Sequence, residues 1–354
     1  MKKICLIALA FAFTFAGCKK SSNNDDQSTP CTLEAAFTSS VDQAGEQIKF
    51  TNTTIGGAIY TWTFGDNKTS NLQNPTHKYS EAGDFTVKLV VTSADGKCTS
   101  EKTRTVNVPI SIVPVEEKNR AMLFDFSEDW CPPCGAYGGP AFDACMALEE
   151  NTISLMKIYS SSNNSALNCS AGNALSSDYN VQGIPDFYVN GDELASGGGV
   201  YSSATANYNW VNGKATAFAA TAVNAGILLE KSFSGNTITV NAKVQFFIAQ
   251  SAGKDFKLAI YVLEDDIISA QQVTGQGSVA TYEHHNLLRA LNAPTYKGDA
   301  LNSMAAITQD QVFNKTYTIN LNTAWKKDDM KVIGVVWNTT ASGKPTLVNS
   351  FMIH

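Results

Sequence analysis

Long apolar runs are what this sequence most plainly lacks. After Phe15 no stretch approaches the roughly 20 apolar residues that a membrane-spanning helix requires. Positive charge is scarce as well: 26 Lys and Arg stand against 32 Asp and Glu, for a net charge of −6. With no basic run, the chain is a poor match for nucleic acid or for anionic lipid head groups. There are four histidines, and two of them, His284 and His285, are sequence neighbours whose side chains point oppositely if the segment is extended. A second Cys-x-x-Cys is missing, so the four ligands of a structural zinc are not in view and no metal site is expected. No Ser/His/Asp arrangement, phosphate-cradling glycine loop or paired-carboxylate site stands out. Gly197-Gly198-Gly199 reads as a plain turn, and nothing in the chain asks for a cofactor.

What is present starts with Lys2 and Lys3, an apolar run from Ile4 to Phe15, and then Ala16-Gly17-Cys18. A basic start, a short apolar stretch and small residues before a cut make a secretory signal. The segment resembles a bacterial lipoprotein signal, with Phe15 where the lipobox usually carries Leu. That resemblance implies a signal peptide over residues 1–17, acylation of Cys18 (a palmitate among the lipid chains), and attachment to the outer membrane through lipid. An ordinary secretory signal with a chance cysteine is the other reading. Lys19 to Pro30 is polar throughout and cannot fold by itself, so residues 18–32 are expected to form a flexible tether. Loss of residues 1–17 removes two lysines and no acid, taking the net charge to −8.

Of the eight cysteines, Cys5 leaves with the signal and Cys18 would carry lipid. Cys31, Cys98, Cys131, Cys134, Cys145 and Cys169 remain. An even number in an exported chain points to disulfides, but the sequence does not choose the pairing. Cys31, Cys98, Cys145 and Cys169 are the structural disulfide candidates. By region, Cys31 could staple a first strand through Cys98, and Cys145–Cys169 could pin a loop to a helix.

From Leu33 to Val108 short strands alternate with turn residues. Phe85, Val87, Leu89 and Val91 recur at period two, as do Trp62 and Phe64, with Gly65-Asp66-Asn67 and Asn74-Pro75 between them. Several strands at this spacing read as a β-sandwich. Tyr60-Thr61-Trp62-Thr63-Phe64-Gly65-Asp66, then Asn74-Pro75-Thr76-His77-Lys78-Tyr79, then Glu81-Ala82-Gly83-Asp84-Phe85-Thr86-Val87, resemble a polycystic-kidney-disease (PKD) domain. The resemblance implies an immunoglobulin-like sandwich over residues 33–109 that spaces or binds, with His77 structural. Pro109 to Glu117 reads as a linker.

The next stretch, Asp125-Phe126-Ser127-Glu128-Asp129-Trp130-Cys131-Pro132-Pro133-Cys134, follows the apolar run Ala121–Phe124 and precedes a helix-like stretch from Gly135 to Glu150. Two cysteines at a strand-to-helix junction can serve as a dithiol/disulfide couple, since the helix N-terminus favours a thiolate. A strand at about Ile153–Tyr159, a Ser/Asn-rich loop at Ser160–Asn164, a short helix at Ala171–Tyr179 and Gly183-Ile184-Pro185 before another apolar strand point to α/β layering. Trp-Cys-Pro-Pro-Cys after such a strand resembles the membrane-tethered thiol oxidoreductases of the thioredoxin fold. Over residues 115–214 that likeness implies an α/β thioredoxin-like domain in which Cys131 attacks from an exposed position beside Trp130 and Cys134 resolves. It further implies that Pro185 follows a cis peptide opposite the cysteines, that Asp125 moves the proton of Cys134, and that Pro140 kinks the helix. Glu128 and Asp129 are expected in a solvated turn. The segment between Cys134 and Pro185 is about ten residues longer than in a minimal thioredoxin.

From Ala215 to His354 the pattern is β again. Ile238, Val240, Ala242, Val244 and Phe246 alternate with polar residues, and Leu258–Leu263, Tyr317–Leu321, Val332–Trp337 and Leu347–Ile353 are further strands. A second antiparallel sandwich over 215–354 is expected. Glu264-Asp265-Asp266-Ile267-Ile268, Gln271-Gln272 and Tyr282-Glu283-His284-His285-Asn286-Leu287-Leu288-Arg289 resemble a signature of the outer-membrane lipoprotein family named for a 28-kilodalton outer membrane protein.

Two functions follow from the sequence. One is a lipid-anchored thiol–disulfide oxidoreductase whose partners are disulfide- or thiol-bearing exported proteins. The other is a surface-displayed binding or adhesion lipoprotein, with a protein or glycan ligand on its sandwiches and a redox-inert middle. Asp25-Asp26 after the lipid cysteine hints at the surface, where no reductant is supplied.

Overall fold

Alternating apolar residues become strands nearly everywhere the pattern places them. The computed structural model describes residues 31–42, 47–149, 151–161, 164–194, 202–340 and 344–354. The signal, Cys18 and Gly197–Gly199 lie outside the described residues.

The N-terminal sandwich packs the strands Phe37–Val41, Ile48–Asn52 and Thr76–His77 against Gly57–Thr63, Thr69–Ser70, Gly83–Ser93 and Thr99–Val108. Between the two sheets lie Phe37, Phe50, Trp62, Phe64, Val87, Leu89 and Val91, the residues that the period-two pattern turns inward. His77 is structural: its ring stacks 4.1 Å from that of Phe64 and its Nε2 lies 2.7 Å from the Asp66 carboxylate. Cys31 and Cys98 are joined. The segment expected as a linker is not free, because Val113 and Val115 are buried against this core together with Leu228. Ile110 and Ile112 pack against the same core, so four apolar side chains in nine residues dock it, and each fully buried one is worth about 2 kcal/mol.

Past residue 120 the architecture is mainly one nine-stranded sheet. Its order runs Asp192–Glu193, Asp186–Val189, Ala121–Phe126, Ile153–Ile158, Leu287–Leu291, Phe256–Glu264, Met330–Asn338 and Thr346–Ile353, with Asp299–Ala300 paired to Phe256–Glu264. The first three neighbours are antiparallel, antiparallel and parallel, with Leu123 beside Leu155 and Asp125 beside Lys157. The strand Ile153–Ile158 then pairs in parallel with the strand starting at Leu287.

One face of the sheet carries Ala121, Leu123, Leu155, Phe187 and Val189 under the helices Gly139–Cys145 and Ala204–Ala219. Further along that face Leu258, Ile260, Val262, Val332 and Val336 meet a second, three-stranded sheet of Ala225–Ser234, Thr237–Phe246 and Gln311–Asn320. The other face is aromatic: Phe124, Phe126, Tyr188, Tyr261 and Trp337 gather under the helix Ser170–Asp178.

Three points depart from the expectations. Helices are few, so residues 115–214 are not set off as an α/β domain of their own. The antiparallel sandwich of the C-terminal part borrows one of its layers from a sheet that begins at Ala121. The helix-like stretch after Cys134 is broken into a wide π-helical turn (Cys134–Gly138), an α-helix (Gly139–Cys145) and a 3₁₀ turn (Met146–Leu148), with Pro140 in the first turn of the α-helix. Proline lacks the N–H that a continuous helix would need there.

Two outcomes are expected. A fragment of residues 115–214, without the N-terminal sandwich, should fail to fold stably, since it bares the aromatic face and the inner edge of Ile153–Ile158; a sharp, cooperative melt of that fragment would refute the shared sheet. Replacing Cys31 and Cys98 together by Ser should lower the stability of the N-terminal sandwich by up to about 4 kcal/mol, from the 67-residue separation of the bridge, as read by denaturant titration of the double variant.

Candidate functional site: the Cys131–Cys134 pair

The strand Ala121–Phe126 delivers its last residues to one end of the sheet, and the chain turns there through Ser127–Pro133. Cys131 and Cys134 are joined by a disulfide with Cα atoms 5.3 Å apart. The Cys134 N–H donates to Cys131 Sγ at 3.2 Å, a contact that would also favour a Cys131 thiolate in the reduced form. Cys131 Sγ lies 3.6 Å from the Ile184 carbonyl oxygen, so the Gly183–Pro185 loop stands against the sulfur although 53 residues separate them. The Ile184–Pro185 peptide is cis. Pro185 packs on Gly138, where an added Cβ would come within 2.9 Å of the proline ring.

Trp130 sits beside the pair, 42% exposed, and its indole N–H donates to the Ser161 carbonyl at 3.0 Å. Cys131 is only 3% exposed, as is Cys134. The expected exposure of Cys131 is therefore corrected: the Ile184 carbonyl stands against its sulfur, and a hairpin from the C-terminal part of the chain binds the backbone of its turn. The hairpin strands Ile267–Val273 and Gly277–His284 pair with each other outside the main sheet.

Glu128 and Asp129 are buried rather than solvated. Glu128 Oε1 accepts the N–H groups of Ser160 and Ser161 at 2.8 and 2.6 Å and their hydroxyls at 3.0 and 3.1 Å. Four donors offset the burial of the carboxylate, and they explain the serine-rich loop: it is tied to the turn that carries the cysteines.

Asp125 lies on the helix-covered face, fully buried. Its Oδ1 accepts the Ser127 hydroxyl at 2.7 Å, the Lys157 ammonium is 3.8 Å from Oδ2, and Oδ2 has no hydrogen bond among the described residues. Burial pushes its pKa up to about 6, against the lowering effect of Lys157 and Ser127. A disulfide carries no proton, so in this oxidised form the sulfurs offer nothing for the carboxyl to bond. Lys157 is itself buried, 4.7 Å from the centre of the Phe142 ring.

Cys145 and Cys169 are free thiols, which corrects the pairing expected between them. Cys145 packs on the helix-covered face with Leu123 and Leu155, whereas Cys169 packs on the aromatic face with Phe124 and Met156. The sheet itself keeps them apart. Burial, followed by Asp125 and Asp143, raises the Cys145 pKa to about 12; burial raises that of Cys169 as well.

His284 and His285 diverge, as an extended segment requires. His284 is fully buried with Nδ1 3.0 Å from the Tyr159 hydroxyl, and burial, then Lys157, pushes its pKa down to about 3, so the ring is neutral. His285 Nδ1 lies 2.9 Å from Asp265, and that bond raises its pKa. Asp265, Asp266 and His285 bring potential ligand atoms within 4.8 Å of one another. The Lys331 ammonium already sits 2.5 Å from Asp265 and supplies the positive charge that the cluster needs.

The sequence singled out the two cysteines, Trp130, Asp125 and Pro185, and the structure brings both cysteines, Trp130 and the Pro185 loop to one place. It missed Ser160 and Ser161 as partners of Glu128, and Lys157, whose only signal was a lysine within an apolar strand. Gln271 was also missed as a contact of the pair, although its segment had been marked for another reason.

Comparison with known proteins bears on the whole chain. A PKD domain model matches residues 29–108. Collagenase ColA of Bacillus cereus is 49% identical over 45 residues, which are 13% of this chain and 5% of the collagenase. Collagenase ColA of Clostridium perfringens is 36% identical over 63 residues, 17% of this chain and 6% of that protein. The chain thus spans about a twentieth of the length of these curated relatives. Among solved structures, HBP35 of Porphyromonas gingivalis is similar in fold, with a TM-score of 0.52 and 19% identity over 68% of this chain and 76% of that one. The model of Outer membrane protein Omp28 matches residues 172–349. That match covers half of the chain and includes the hairpin and the strands of the shared sheet from Asp186 onward, and on it the chain belongs to the Omp28 outer membrane protein family.

Proposed function

We propose that this outer-membrane-family protein exchanges disulfides with exported proteins through Cys131 and Cys134, held at the end of the shared sheet. In this reading the chain is tethered to the membrane by lipid on Cys18. The observation that carries it is the meeting, at one sulfur, of the strand-to-helix turn and the Gly183–Pro185 loop, with a buried carboxyl on the strand that feeds the turn.

Starting from the disulfide, a partner thiolate attacks Cys131 Sγ. The Sγ–Sγ bond breaks and its electron pair leaves on Cys134. Asp125, protonated in part near neutral pH, is the group in this region suited to supply that thiolate with a proton. A second partner thiolate then attacks the mixed disulfide and releases Cys131, whose negative charge the Cys134 N–H stabilises. The partner dithiol loses two electrons and becomes a disulfide; the Cys131–Cys134 pair gains them. With a partner disulfide the same steps run in reverse.

Burial of both sulfurs favours a second reading. The pair could be an inert crosslink in a surface-displayed protein that binds a protein or glycan through its sandwiches. Disulfide exchange by the full mature chain, followed with glutathione disulfide and with a reduced cysteine peptide, separates the two. The wild type should exchange and Cys131→Ser should fall to background; equal rates, or none in either, would leave only the inert reading.

A pH signature is also expected. Because the folded-state pKa of Asp125 lies above the ordinary carboxylate value, its contribution to stability is full below about pH 4 and is lost as pH rises through about 6. The wild type should lose on the order of 3 kcal/mol across that window relative to Asp125→Asn, which has no proton to release. Parallel stability curves for the two proteins between pH 4 and 7 would contradict the assignment.

A further inference from the structure

The hairpin over the pair is built from the segments that carry the family signature, and its contacts are specific. Gln271, 1% exposed, directs its side-chain amide at the carbonyls of Glu128 and Cys131, each at 3.1 Å. The Gln272 N–H donates to the Asp129 carbonyl at 2.7 Å and the Thr274 N–H to that of Pro132 at 3.1 Å. Backbone and side-chain donors of the hairpin thus grip carbonyls of the turn that holds the first cysteine.

The receiving surface is cut to match. A Cβ on Gly135 would come within 2.5 Å of the Gln272 carbonyl oxygen, and one on Gly139 within 1.9 Å of the Tyr282 hydroxyl. Behind the hairpin the Tyr159 hydroxyl reaches both Gln271 Oε1 at 3.3 Å and His284 Nδ1 at 3.0 Å, which fixes the Gln271 amide in its donating orientation. Isolated two-stranded hairpins are marginal in water. This one is held by docking and by the Asp265–His285–Lys331 cluster at its base.

On the Trp130 side of the turn lies a groove of about 320 Å³, lined by Trp130, Ser160, Ser161, Gln182, Gly183 and Ile184 among others. Neither cysteine lines it, but it reaches the pair through Ile184, whose carbonyl oxygen is 3.6 Å from Cys131 Sγ. We propose that the hairpin Ile267–His284 is the specificity-determining element of the thiol site: it restricts the Cys131–Cys134 pair to cysteines presented on extended polypeptide along the Trp130–Ile184 groove and excludes folded protein surfaces. Gln271 is its positioning residue. The inference deepens the exchange reading and rests on it for biological meaning, but access to the sulfur is measurable whether or not exchange is catalysed.

The test uses the reduced full chain, alkylated with iodoacetamide or with a maleimide carrying a polyethylene glycol of several kilodaltons. Modification of Cys131 is read by mass on its own peptide, which sets the other cysteines aside. In the wild type the small reagent should react and the bulky one should be strongly retarded against an unfolded control. Gln271→Ala removes two docking hydrogen bonds and should raise the bulky-reagent rate at least about tenfold, with the small-reagent rate little changed. Gly139→Leu should act in the same direction and expose the Thr274–Gln276 turn to limited proteolysis, which gives a second reading if one variant folds poorly. Equal retardation of both reagents in the wild type, or bulky-reagent rates unmoved in two folded variants, would overturn the proposal. Absence of catalysed exchange with the alkylation pattern intact would instead defeat only the exchange reading.

Discussion

The parallel pairing of Ile153–Ile158 with Leu287–Leu291 is the contact on which the rest of the C-terminal two-thirds depends. The Lys157 N–H donates to the Asn286 carbonyl at 3.0 Å, and Leu287 lies beside Lys157 in the register. Through that joint a sheet begun at Ala121 takes in the strands after residue 255. Its two faces must then be covered together, one by two helices and a three-stranded sheet, the other by an aromatic cluster and a short helix. Ile153–Ile158 pairs in parallel with both of its neighbours, an arrangement that calls for burial on both sides, and both sides are buried here.

The same joint places the chemistry. The strands Phe256–Glu264 and Leu287–Leu291 are antiparallel neighbours, and the chain between them is the hairpin. Because Leu287 sits next to Lys157, and Lys157 next to Asp125, the hairpin emerges at the end of the sheet where Phe126 hands over to the cysteine turn. A buried polar set results, drawn from distant parts of the chain: Asp125, Lys157 and Tyr159 from the central strands, Gln271 and His284 from the hairpin. Each of these groups would be costly in the interior alone. Most are offset by a partner, and the Asp125 oxygen that lacks a hydrogen bond faces a lysine.

Local chemistry made part of this legible beforehand. Trp62, Phe64, Val87, Leu89 and Val91 alternate in the sequence and are buried in the sandwich, and the Cys-Pro-Pro-Cys turn follows a strand as its flanks require. Glu128 and Asp129 show where such reasoning ends. Acidic residues in a turn are solvated by default, and only a serine loop more than thirty residues away reverses that for Glu128. Cys145 and Cys169 show it as well: closeness in sequence argued for a bridge, and a sheet between them forbids it.

By itself the sequence determined the elements and the residue types: strand faces from period-two alternation, turns from Gly, Asn and Pro, and a redox-capable pair from its place before a helix. These are local properties, decided by dihedral preference and by which face is apolar. Tertiary structure alone decided that the central and C-terminal strands form one sheet, that Asp125 is buried beside Lys157, and that Gln271 caps the turn of Cys131. Those outcomes rest on contacts between residues about 30 to 140 positions apart. No local pattern encodes such pairings, because the side chains that meet owe their proximity to strand register and not to their spacing along the chain.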